Sequence, residues 1–168
     1  MNDMKIRIVW GCSEGPTKIS AFDGALKEAG IHNLNLLSLS SIIPQKTTVT
    51  EVGRIQLEEQ VGSVGKVVLS HIEGMDCWLS SGLGWVTAPE GGIIVESALI
   101  GRSINCKKEI HDGFERMMEN RSWNWKSKPR TRILEVKAHS NSFSAVVVAA
   151  LFCIEPLVQN VRQRDIWL

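Results

Sequence analysis

Tyrosine is absent from this 168-residue chain, and its aromatic bulk is carried by four Phe and six Trp. Cysteine is scarce and scattered: Cys12, Cys77, Cys106 and Cys153 share no CxxC or CxxH spacing. That argues against a disulfide framework or a structural zinc site and suits a reduced, cytoplasmic protein. The histidines, at 32, 71, 111 and 139, show no paired ligand spacing, so no metal is expected. Neither sign of charge dominates, with 19 Lys and Arg against 18 Asp and Glu. The basic residues are scattered, which leaves no electrostatic footprint for nucleic acid. No apolar run approaches the roughly 20 residues of a membrane span. The opening MNDMKIRIVWG is charged and strand-like rather than an apolar leader, so neither a membrane partner nor a signal peptide is expected. Repeats, linkers and low-complexity segments are also missing.

What remains is one globular domain, 1–168, with 43% hydrophobic and 22% charged residues. MKIRIVW (4–10) alternates and reads as a strand, and GCSEGPT as a loop. Residues 17–29 read as a helix with Ile19, Phe22, Leu26 and Ala29 on its apolar stripe and Gly30 as its stop. Strands are expected over 33–39, 65–72, 91–101 and 132–139, and a second helix over 106–121. FSAVVVAALFCI is apolar on both faces, as a central strand should be. Residues 45–63 and the Gly/Ser/Trp-rich section through SSGLGW carry weak patterns, and the tail from Pro156 reads as a short helix. The fold class is α/β: a single-domain layered sandwich of about two helices on mixed or antiparallel sheets.

The stretch LSLSSIIP puts Ser40-Ser41 where a strand gives way to a proline-marked break. By residue type alone, paired serines there are a loop whose hydroxyls bond nearby backbone. A second reading is backbone chemistry. A serine hydroxyl can attack the carbonyl just before it, provided the peptide is held and the oxyanion has donors. Elimination from the resulting ester cuts the chain and leaves a pyruvoyl group on the new N-terminus, an electrophile in the role pyridoxal phosphate plays elsewhere.

The surrounding residues bear on that choice. Ser13-Glu14-Gly15, Ala21 to Leu26 (AFDGAL), Ala29-Gly30-Ile31, Asn33 with Asn35, and Ser40-Ser41-Ile42-x-Pro44 follow one another in order. This region, 11–44, closely resembles the N-terminal region of pyruvoyl-dependent arginine decarboxylases. The resemblance returns at GGIIVE, at the following helix and at the apolar strand ending Ala149-Ala150-Leu151, and thins over 45–90. It implies cleavage between Ser40 and Ser41 into a 1–40 chain and a 41–168 chain that bears a pyruvoyl derived from Ser41. That covalent group would be the cofactor, with no metal and no pyridoxal phosphate. It would form an imine with L-arginine, and the products would be agmatine and CO2. The resemblance further implies a homotrimer, or a dimer of trimers, of the cleaved pair.

Several residue roles come with the resemblance. Asp23 matches the guanidinium-binding aspartate, a natural partner through paired charge-assisted bonds. Glu96 matches the catalytic glutamate, which returns a proton after CO2 leaves; Glu90 competes for that position. Asn35 matches the asparagine beside the scissile strand, where its amide would serve self-cleavage. Leu26, Leu34 and Ile42 would line the aliphatic part of the substrate, although plain core packing is the better account of each from residue type.

Departures bear on the substrate. His32 stands where a small residue is usual, and Cys12 where a serine is usual. Trp78 and Trp85 lie in the poorly matching section and could rim a pocket or a subunit contact. The alternatives are the same chemistry on another amino acid, or a non-catalytic homologue acting as a binding or partner subunit. A Ser-His-Asp hydrolase fits poorly, because no GxSxG elbow is present.

Overall fold

In the computed structural model, residues 4–57 and 60–157 are described. The first strand, β1 (Met4–Gly15), runs five residues past its alternating sequence. The expected GCSEG loop is instead strand, paired antiparallel with β9 (Phe143–Glu155) from Arg7–Leu151 to Gly15–Phe143. The glycine there serves close packing rather than turning. A Cβ on Gly11 would lie 2.3 Å from the Ala25 carbonyl oxygen of the helix that crosses it.

That helix is α1 (Lys18–Ala29). Thr17 caps it: its hydroxyl accepts from the Ser20 N–H while the Ser20 hydroxyl accepts from the Thr17 N–H. Gly30, at φ 83°, ends it in the left-handed conformation that favours glycine. The buried stripe is Ala21, Ala25, Leu26 and Ala29. Ile19, expected inside, is 71% exposed, because the small alanines face β1 and let the helix approach closely.

Two sheets stack between the helices. The first has the order β2 (Asn35–Ser38), β5 (Val64–Gly74), β9, β1, β4 (Thr47–Gly53). The second has the order β3 (Ile42–Ile43), β7 (Gly91–Ile100), β6 (Trp78–Ala88), β8 (Arg130–Lys137). Pairings β1–β4 and β2–β5 are parallel; the other ladders are antiparallel. The second helix, α2 (Ser103–Glu119), covers the outer face of the second sheet.

The core has matching layers. Alternate residues of β9 divide it: Ala145, Val147, Ala149 and Leu151 face α1, while Val148, Ala150 and Phe152 face the second sheet. A third layer joins Ile93 and Val95 to Cys106, Ile110 and Phe114 of α2. The layered α/β sandwich is therefore as expected, with four layers.

Three strands were not legible, the two-residue β3 among them. β6 occupies the Gly/Ser/Trp-rich section, where Gly84 makes room for α2: a Cβ there would meet Ile110 at 2.4 Å. β4 is a polar edge strand, and its Glu51 pairs with Arg130 (2.8 Å) and Arg132 of β8. Trp85 is 3% exposed, lies between the sheets with Arg130 over its ring, and lines a small cavity with Thr47, Val49 and Lys128. The expected helix from Pro156 falls almost wholly on 158–168, outside the described residues.

Candidate active site

The chain changes sheets between β2 and β3, and Ser40-Ser41 lies at that step. On one side, the Leu39 N–H donates to the Val67 carbonyl in β5 (2.8 Å). On the other, the Ile94 N–H of β7 donates to the Ser41 carbonyl (2.8 Å). Between them the Ile42 N–H folds back onto the Ser40 carbonyl oxygen at 2.7 Å, an i to i+2 turn with Ser41 at its apex. Ile43, 1% exposed, anchors the far end in the inter-sheet core. A four-residue segment is thus held at both ends by different sheets, with Ser40 exposed and Ser41 half-buried.

Glu96 lies two residues along β7 from Ile94, roughly 7 Å in strand rise from the backbone that holds Ser41. Period-two alternation puts it on the face of Ile94, but where that face runs out to solvent, so the residue counts as exposed. Even so, desolvation of its carboxyl group pushes its pKa above the ordinary glutamate value. A buried hydroxyl cluster fixes the next residue. Ser70 of β5 donates to the Ser97 carbonyl (2.8 Å) and bonds Ser81 of β6 (2.8 Å); the Ser97 hydroxyl donates to Glu109 of α2 (2.6 Å). Sequence reading missed this cluster because serines in strands carry no distinguishing spacing.

Glu90 is not brought to this site. It lies in the β6–β7 turn, where its carboxylate accepts from the Asn124 N–H (3.3 Å). Asp23 is exposed on α1, without an ion pair among the described residues. Its neighbour Phe22 stacks on His71 (4.7 Å between centroids), and His71 in turn bonds Glu73 (2.8 Å).

Leu26 and Leu34 are buried in the core between α1 and the first sheet, so packing is their evident role. Ile42 is 39% exposed beside the serines. The Asn35 amide does not bond the Ser40–Ser41 link; it donates to the Gly62 carbonyl at 2.7 Å and ties β2 to the 60–63 turn. His32 lines a cavity of about 200 Å3 with Arg54 and Gln60, and its buried Nδ1 has no hydrogen-bond partner among the described residues. A roomier groove, about 600 Å3, follows α2 past Ile104, Ile110 and Phe114 and contains none of these residues. His111, Asp112 and Glu115 bring ligand atoms within 4.8 Å of one another on the exposed face of α2; the helical i, i+4 spacing of His111 and Glu115 was their sequence signal.

The family profile described as Pyruvoyl-dependent arginine decarboxylase (PvlArgDC) matches residues 5–155. The chain belongs to the pyruvoyl-dependent arginine decarboxylase family. Among curated relatives of that name, the Halobacterium salinarum protein is 31% identical over 152 residues, 88% of this chain and 93% of the relative. The Pyrococcus furiosus protein is 33% identical over 146 residues, covering 83% and 87%. The Methanothermobacter thermautotrophicus protein is 38% identical over 101 residues, 59% of this chain and 64% of that protein. Within this family the expected cofactor is a covalent pyruvoyl group, and a hydroxyl residue on a tethered crossover, directly after a hydrogen-bonded carbonyl, suits its formation.

Proposed function

We propose that this chain is a self-processing carboxy-lyase that converts L-arginine to agmatine and CO2, with Ser41 as the source of its pyruvoyl group. The observation that carries the reading is the crossover. Ser41 follows a carbonyl that is already hydrogen-bonded, in a segment pinned by both sheets. Cleavage there divides the domain into 1–40 and 41–168.

Bound to the substrate amine, the pyruvoyl group supplies the electron sink for loss of CO2. The chain's own residues do the rest. Asp23, without a competing base among the described residues, receives the guanidinium. Glu96, its carboxyl group held protonated to higher pH than an ordinary glutamate, returns a proton to the substrate carbon. The Ile94 N–H holds the Ser41 carbonyl, and with it the new N-terminus, against β7. Asn35 supports the site through β2.

Asp23, Glu96 and Ile42 are all exposed on a single chain, with apolar Leu37 (50%) and Ile100 (68%) also uncovered. Decarboxylation is favoured by exclusion of water. We therefore read the working form as a homotrimer or dimer of trimers whose subunits close over the site. Among the described residues no helix is long and apolar enough to cross a membrane; cytoplasmic residence remains part of this proposal.

Intact mass of the purified protein tests the reading. Two pieces divided after Ser40, the larger with a ketone-reactive end, are expected, together with CO2 release from arginine in preference to ornithine, lysine or histidine. A single intact 18.6 kDa chain without gas release would refute it.

A further inference from the structure

We infer that the main-chain N–H of Ile42 is the oxyanion donor for self-processing, and that the crossover between the sheets is built to present it. The inference rests on the self-cleavage reading above and names the group that makes the step possible.

The family resemblance pointed to the Asn35 amide for self-cleavage, but that amide is engaged with the Gly62 carbonyl. The hydrogen bond that does reach the scissile carbonyl, among the described residues, comes from Ile42 at 2.7 Å. Ile42 sits in a strand of only two residues, and its N–H is free for this contact because β7 bonds the segment through Ile94 N–H to the Ser41 carbonyl instead.

The covalent steps balance without any added reagent except water. The Ser41 hydroxyl oxygen attacks the Ser40 carbonyl carbon, and that carbonyl oxygen takes the negative charge. The Ile42 N–H lies where this charge develops. The Ser40–Ser41 C–N bond then breaks, the nitrogen keeps the hydroxyl proton, and an ester remains. Loss of the Ser41 α-proton breaks the Cβ–O bond and releases the Ser40 carboxylate. The enamine left on residue 41 tautomerises, adds water and expels ammonia to give the ketone.

An oxyanion donor is effective when it need not move. Here the turn is fixed by Leu39 N–H to Val67 O, by Ile94 N–H to Ser41 O, and by Ile43 buried between the sheets. The donor and the nucleophile are in consecutive residues, so one tethered turn positions both.

The test compares cleavage rates of wild type, Ile42→Val, Ile42→Pro and a chain with the Ile42 amide replaced by an ester through its α-hydroxy acid counterpart. Val keeps the N–H; the other two remove it. Intact mass follows the appearance of the two pieces, and circular dichroism reports folding. Removing one preorganised oxyanion donor costs about 10²- to 10³-fold in rate. Ile42→Pro and the ester chain should stay whole for times longer, by that factor, than Ile42→Val, which keeps the N–H. Hydroxylamine, which cuts esters, should release nothing from Ile42→Pro, because the block precedes ester formation.

The inference is overturned by a folded Ile42→Pro chain, or by an ester-substituted chain, that cleaves within tenfold of wild type. It is also overturned if Ile42→Pro accumulates a hydroxylamine-sensitive link at residue 41. Should Ile42→Pro fail to fold, the ester chain decides. A wild-type chain that never cleaves sinks the underlying reading as well, and that result is distinct from the others.

Discussion

In the proposed reaction Glu96 and Asp23 divide the labour at the residue scale, and each would have its own signature. Burial raises the Glu96 carboxyl pKa, so the protonated acid persists to higher pH than for an ordinary glutamate. Turnover should therefore fall as pH rises through that raised value. Glu96→Gln should remove this limb and slow turnover by about 10²- to 10⁴-fold, the usual contribution of a positioned acid, while chain cleavage proceeds. A pH–rate profile with the intact mass of each variant checks both statements. The same shift has a stability consequence of known sign. The contribution of Glu96 to folding is present below its unfolded pKa and is lost as pH rises through the folded one. Asp23→Asn should leave cleavage unchanged and raise KM for arginine by roughly 10-fold or more, from loss of a charge-assisted contact. Initial-rate kinetics with arginine decide it; an unchanged KM would remove Asp23 from the binding site.

Individual elements depend on contacts from distant strands. The first turn of α2 has no capping side chain of its own, since Arg102 stands at the cap. Glu135 of β8 fills that place: its carboxylate accepts from the Ser103 N–H at 2.5 Å and pairs with Arg102. The Ser103 N–H, followed by Arg102, holds the Glu135 carboxyl below the ordinary value. Its stabilisation is present above the unfolded pKa and lost as pH falls through the depressed one. Glu135→Ala should cost about 1 kcal/mol, as loss of a helix cap does, with the deficit disappearing in acid. Thermal melts of both proteins at neutral and acid pH measure it. Gly84→Ala tests the packing of that helix on the second sheet. Its methyl would meet Ile110 at 2.4 Å and Phe114 at 2.7 Å. Overpacking of this kind costs about 1–3 kcal/mol, so a melt unchanged from wild type would show that α2 sits further from β6 than described.

Across the whole molecule, cleavage should change the covalent chain without separating its parts. Residues 1–40 contribute β1 and α1, and β1 lies between β4 and β9, both from 41–168. Native size by gel filtration should match that of uncleaved Ser41→Ala, and two pieces should separate only on denaturation. Release of the small chain under native conditions would contradict this topology.

The chain by itself determined the layered α/β class, both helices, the central β9 and the serine pair, because each is written in local pattern or adjacent residues. Strand β9 is readable since both its faces are apolar, and α1 since Thr17 and Gly30 bound it. The tertiary structure decided the rest. Gly11 reads as a loop residue, and Gly84 as part of a weakly patterned section, until a helix is seen lying on each. The Asn35 amide meets Gly62 and the Ile42 N–H meets the Ser40 carbonyl because a hydrogen bond depends on where a group is held, and that is set by Gly62 and by β7, distant in sequence. Composition and periodicity report which surfaces a residue prefers; which donor meets which carbonyl emerges only when two sheets fix the same short turn.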